Sequence, residues 1–240
     1  LTANAGTGTA SLGSVGDTAS LADLDVTGTT INLNGSTVAV NAGVGGTTAT
    51  LTGAVVLGNN VTVNTDGTND NSLTFTSTID ADNAGTADRT LTVTAGGGTV
   101  SFGGNIGNTQ ALADLDITAA SIIIAGAIVK LDDDQAAAAT ATFNGAVTLQ
   151  NNVSIDTDKA TGTDNSLTFS STINADNNTT ADRTLTVTAG TGTTSFSGAI
   201  GTGTNGSLAD LDVTAATINL NGATVQVDDQ GGNTATFTGA

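Results

Sequence analysis

The chain has 240 residues, 32 of them Gly, with no Pro, Cys, Met, Trp, Tyr or His and with six Phe as its only aromatic side chains. All 22 acidic residues are Asp, against four Lys and Arg, which gives a net charge of −18. This excludes imidazole and thiol catalysis, ordinary zinc sites and haem ligation, works against nucleic acid and anionic membranes, and leaves no apolar run long enough for a helical membrane span.

Thr, Val and Ile dominate, and the local pattern is period two, so the predicted elements are strands throughout. The first centres on Leu12 and closes on Gly13. "LADLD" follows from Leu21 and leads into "INLNGSTVAV" from Ile31, where Ile31, Leu33, Val38 and Val40 share the inward side. "TATLT" from Thr48 centres on Leu51. The Asx-rich loop "NTDGTNDN" (Asn64–Asn71) precedes a strand on Phe75, and the loop "DADNAGTADR" (Asp80–Arg89) precedes "TLTVTAG" from Thr90. A strand centred on Phe102 ends this pass.

The pattern then begins again. "LADLD" returns at Leu112, the inward pair at Ile122 and Ile124, and the apolar continuation at Val129 and Leu131. "TATFNGAV" centres on Phe143, the loop "DTDKATGTDN" (Asp156–Asn165) precedes Phe169, and "NADNNTTADR" (Asn174–Arg183) precedes "TLTVTAG" and Phe196. The segments 71–102 and 165–196 align without a gap and differ at six positions. A third "LADLD" at Leu208 opens a last pass through Ile218, Leu220, Val225, Val227 and Phe237. The units are copy one over 1–90, copy two over 91–184 and a partial copy three over 185–240, in one continuous body. The chain begins and ends in mid-pattern, so it is expected to be a piece of something longer.

Repeats of short strands punctuated by Gly, Asn and Asp predict an all-β fold, a β-solenoid in which each coil stacks on the next. The strand centres lie about 22 residues apart, with four steps to each copy of some 90–96 residues. Ten to eleven coils at about 4.8 Å each predict a rod of roughly 50 Å. Phe143, Phe169 and Phe196 should form an inward ladder. The absence of Pro fits a chain made of central strands, since Pro lacks the ladder donor.

Candidate sites are few. Asp66 and Asp70, Asp80, Asp82 and Asp88, and in copy two Asp156, Asp158 and Asp164, Asp176 and Asp182, form loop clusters of hard oxygen ligands of the kind Ca²⁺ takes. Their spacing matches neither an EF-hand nor a calcium β-roll, and the competing reading is Asx turns and solubility. No cofactor is expected, with Ca²⁺ the one candidate. "ADRT" suggests surface ion pairs Arg89–Asp88 and Arg183–Asp182. Paired carboxylates could cleave glycosides, but the cations and aromatic platforms such sites use are nearly absent, so no enzyme is expected. Outward Thr ranks could bind ice, although coils of uneven length argue against it. Ile123 and Ile128 stand where the other copies have Asn32/Asn219 and Thr37/Thr224; this apolar outward patch reads either as a lateral contact or as ordinary drift among surface residues.

"LTVTAGGGTVSFGGNIG", "LADLDITAASI" and "TATFNGAV" resemble the repeat regions of giant bacterial surface proteins of the filamentous-haemagglutinin and autotransporter kind, and the resemblance covers the whole chain. It implies a right-handed parallel β-helix, export to the cell surface, and a role as stalk, adhesin or fibre. The implied partners are further copies of the same solenoid, axially or end to end, with lateral fibre contacts or surface glycans. No nucleic-acid partner or membrane insertion is implied, and no catalytic residue carries over.

Overall fold

The computed structural model describes residues 1–41, 48–82, 89–131, 140–159, 164–176, 183–203, 206–228 and 234–239. Asp88 and Asp182 lie outside them. Every strand pairing among the described residues is parallel, and the chain winds into a β-solenoid of about 8 turns. Among the described residues no helix is long and apolar enough to cross a membrane.

Each turn has three faces, and each face carries an inward column along the rod. The first column runs Leu24, Ala49, Leu73, Val100, Ile122, Val147, Ile173, Ile200 and Val225. The second starts at Ile31 and Val55 and ends at Val213 and Phe237. The third starts at Val15 and Val38 and ends at Phe196 and Leu220. Strands Leu24–Leu33 and Asp114–Ile124 each cross two faces, with the register shifting between Thr27 and Thr30 and between Thr118 and Ser121 where they turn the corner. Period-two alternation sends these columns into a shared core. A single turn is too thin to have a core of its own, so burial comes from the stack.

Two features of the coil differ from the sequence expectation. Equivalent residues lie about 25 apart, not 22, and about 8 turns replace ten or eleven; at about 4.8 Å per turn they span roughly 40 Å. The strand-centre phrase occurs on more than one face, so counting phrases counted some turns twice. Leu33 stacks on Leu57, while Leu51 stacks on Val26 and Phe75. Likewise Ile124 stacks on Leu149, and Phe143 on Ile117.

The second difference concerns the long repeat, which is not four coils. Leu24, Leu115 and Leu211 hold the same place in the three "DLD" phrases. From Leu24 the first column takes three turns to Val100, and the chain then passes Ile106 on the second face before reaching Leu115 on the third. From Leu115 three turns lead to Thr194, and the chain then passes Ile200 on the first face before reaching Leu211 on the second. Each repeat is therefore three and two-thirds turns. Successive copies are related by a screw, and the same motif faces a different way each time.

The expected aromatic ladder is present. Phe143 and Phe169 stack with ring centroids 5.1 Å apart, and Phe169 and Phe196 at 5.5 Å. Phe75 and Phe102 form a second stack at 5.5 Å on the first face. Ile31, Leu33, Val38, Val40, Ile122, Ile124, Val129 and Leu131 are buried as expected. Leu220, Val225 and Phe237, also in inward columns, are 45%, 36% and 37% exposed because no described turn lies beyond them.

One core position breaks the pattern. Thr194 is fully buried between Leu167 and Ile218, and its hydroxyl has no hydrogen-bond partner. Copy one has Val100 at the equivalent place. Replacing an unpaired buried hydroxyl with a methyl of the same shape removes a desolvation cost. Thr194→Val is expected to stabilise the protein by about 1–2 kcal/mol, read as a rise in Tm; a fall would overturn this account of the site.

Candidate functional site

The predicted acidic residues sit at the corners, where the chain leaves one face for the next. Asp66 and Asp70 occupy a loop between the third and first faces. The Asn64 side chain accepts the Asp66 N–H at 2.9 Å, an Asx turn of the kind short polar side chains form. The Asp70 carboxylate accepts the N–H of Gly67 at 3.1 Å and, from the following turn, that of Gly97 at 2.5 Å. Gly96 adopts a left-handed φ of +50°, and a side chain there would meet both Asp66 and Asp70.

Copy two builds the same device a third of a turn away. Asp156 accepts the Asp158 N–H at 3.1 Å. Asp164 accepts the N–H of Lys159 at 2.9 Å, and the N–H and hydroxyl of Thr191, in the following turn, at 2.6 and 2.8 Å. Gly190 repeats the left-handed position, against Asp158 and Asp164.

Beneath each loop lies a buried Asn that sequence reasoning missed. Asn71 donates to the Val40 carbonyl at 2.9 Å, and its own carbonyl accepts the Thr65 hydroxyl at 2.7 Å. Asn165 donates to the Ala113 carbonyl at 2.8 Å and accepts from Thr157 at 2.8 Å. The available signal was the Thr…Asn pair that recurs across both Asp-rich loops. Buried amides of this kind persist because their hydrogen bonds are made.

Asp80 accepts the N–H groups of Thr109 at 2.8 Å and Gln110 at 3.2 Å, again in the following turn. Its counterpart Asn174 does the same for Gly203 at 3.0 Å. The Asp/Asn exchanges at 80/174 and at 64/156 show that these places need an acceptor and not a charge. Asn60 and Asn105 add further staples to Thr90 and to Ala127 and Ile128. In all of these the acceptor lies on the earlier turn and the N–H on the later one.

The "ADRT" pairs involve Asp88 and Asp182, which lie outside the described residues; the described ion pairs join other partners. Arg89 pairs with Asp82 at 2.7 Å through Nε and 3.1 Å through Nη2, and Arg183 pairs with Asp176 in the same way at 2.7 and 3.2 Å. In each pair the partner lies seven residues back along the chain.

The predicted metal residues that are described are thus spread over separate corners. Among the described residues no three carboxylates converge as a metal-binding group. The three "LADLD" motifs lie on three different faces. Their Asp25, Asp116 and Asp212 stand in the outward Thr rows and interrupt them, as between Thr92 and Thr142 on the third face. Ile123 and Ile128 are half-buried in outward rows on either side of one corner, Ile123 beside Ser101 and Thr148, and Ile128 beside Ser154. Comparison with protein-family models, curated proteins and solved structures finds no match to the chain.

The corner carboxylates respond to pH with a definite sign. Hydrogen bonds from Gly97 and Gly67 hold the Asp70 carboxyl below its usual range. Burial of Asp164 opposes its ionisation, but the bonds from Thr191 and Lys159 outweigh it and lower that carboxyl too. A depressed folded value means a contribution fully present above the ordinary Asp range and lost as pH falls through the folded value. Tm is expected to drop on acidification below about pH 4, and less steeply in D70N/D164N. Above that range, CaCl₂ and NaCl at matched ionic strength are expected to raise Tm equally, by screening the dense negative charge; a Ca²⁺-specific rise would instead mark these loops as metal sites.

Proposed function

We propose that the protein is a structural segment of a long extracellular bacterial solenoid, a fibre or adhesin stalk of the filamentous-haemagglutinin and autotransporter kind, whose role is reach, stiffness and attachment. The observation that carries this reading is the continuity of the three inward columns through every described turn, with the acidic side chains used as corner staples. A body in which each turn binds only its neighbours extends by addition of turns, and its ends are the sites of growth. The axial partner is a further turn of the same solenoid, in a longer chain or in a second subunit. The unidirectional staples make that junction head-to-tail, because the earlier turn brings side-chain acceptors and the later one backbone N–H groups.

No enzymatic role is proposed, and no cofactor. The second reading, an outward face that binds a glycan or ice, is supported by the Thr rows and weakened by the Asp that interrupts each of them. Electron microscopy of the native assembly tests the proposal. Thin unbranched rods at the cell surface, with an axial repeat of about 4.8 Å, are expected. Compact particles or an intracellular location would overturn it.

A further inference from the structure

Copy two departs from its siblings at one place on the rod, and the departures are coordinated. Ile123 and Ile128 replace Asn and Thr. Lys130 stands where copies one and three have Ala39 and Gln226, and Asp156 where copy one has Asn64. Lys130 and Asp156 are direct neighbours in one outward row of the second face, on successive turns, and Ile128 and Ser154 are neighbours in the next row. Lys130 is exposed, and among the described residues it has no ion-pair partner, whereas Arg89 and Arg183 are both engaged. Asp156 uses one oxygen on the Asp158 N–H.

We infer that this patch is a lateral contact between two copies of the chain, lying antiparallel with their second faces together. The inference rests on the fibre reading and deepens it. A rod of net charge −18 repels its own kind, so a contact between copies needs local charge complementarity. A cation and an anion on successive turns of a flat face supply it in self-complementary form. A two-fold axis along the strands, midway between the two turns, sets Lys130 of each copy opposite the partner subunit's Asp156. The same operation brings the two Ile128 side chains diagonally together in the next row, beside the charge pairs. Ile123, around the corner on the first face, widens the apolar rim.

The screw relation limits the contact. The equivalent corners of copies one and three point a third of a turn away on either side and carry Asn32 and Thr37, or Asn219 and Thr224. One azimuth of the rod is adhesive, so association stops at pairs and does not run on into sheets.

The test is sedimentation and small-angle scattering of the whole chain at physiological ionic strength. The expected result is a concentration-dependent dimer whose cross-section doubles while its length is unchanged. I128T/K130Q, which installs the residues that copy three carries at these positions, Thr224 and Gln226, should weaken dimerisation by about tenfold or more, the size of effect that losing a paired charge at an interface produces. K130D should abolish the dimer, and K130D/D156K should restore it. Failure of the double reversal to restore it, or a wild-type rod that stays monomeric at every concentration, would overturn the contact. So would a dimer that doubles in length at constant cross-section. A monomer that scatters as a rod leaves the fibre reading standing, whereas a compact profile removes both.

Discussion

Phe169→Ala is expected to lower stability by about 3–5 kcal/mol, the cost of emptying a close-packed aromatic site. Phe169 is the middle ring of the third-face stack, 1% exposed, with Phe143 on one side and Phe196 on the other. Neighbouring turns cannot collapse into the gap, because strand hydrogen bonds fix their axial spacing at about 4.8 Å. Phe169→Leu keeps most of the apolar volume and should cost less than half as much. In a body held together by nearest neighbours, the damage should be local. Hydrogen exchange should therefore accelerate first in Ala141–Phe143, Leu167–Phe169 and Thr194–Phe196. A uniform acceleration along the whole rod would contradict nearest-neighbour stacking, and an unchanged Tm would contradict the aromatic ladder.

Gly107→Ala is expected to be at least as damaging, at about 3 kcal/mol or more. Gly107 has φ +68°, a conformation that side chains with a Cβ rarely adopt, and an added Cβ would lie 2.1 Å from the Lys130 carbonyl oxygen of the next turn. That carbonyl belongs to a ladder strand, so relief requires prising two turns apart. Gly16 and Gly201 repeat the situation at the matching corners of copies one and three, with φ of +71° and +74° and carbonyl oxygens at 2.3 and 2.1 Å. The same substitution at any of the three should lower Tm by a similar amount. Gly13→Ala is the control, since nothing lies within 4 Å of an added Cβ there and φ is not in the left-handed region; its effect should stay within about 0.5 kcal/mol, as for ordinary surface changes. Equal effects at Gly13 and Gly107 would show that close approach of the turns does not constrain this position.

Much of the fold was legible in the sequence because its causes are local. Alternation in "TLTVT" and "TATFN" fixes which side chains go inward, whatever the fold around them. Recurrence of whole phrases requires units that stack, and the absence of Pro agrees with central strands. These facts alone placed Phe143, Phe169 and Phe196 in one ladder and buried Ile31, Ile122 and Val129. The corner acceptors were also legible as turn residues, because Asp and Asn in Gly-rich loops satisfy nearby backbone N–H groups.

The tertiary structure decided the turn. Spacing along the chain does not tell a face from a coil, because inward phrases of the same form occur on all three sides and the loops between them vary in length. Only the pairing of Leu33 with Leu57, and of Ile117 with Phe143, shows that a turn takes about 25 residues and a repeat three and two-thirds turns. The partners of charged side chains were set in the same way. Arg89 reaches back to Asp82 because the loop base brings them together, and Asp70 meets Gly97 because one coil lies on the next. Lys130 and Asp156 stand side by side in one outward row for the same reason: residues 26 apart become neighbours when the turn closes on its predecessor.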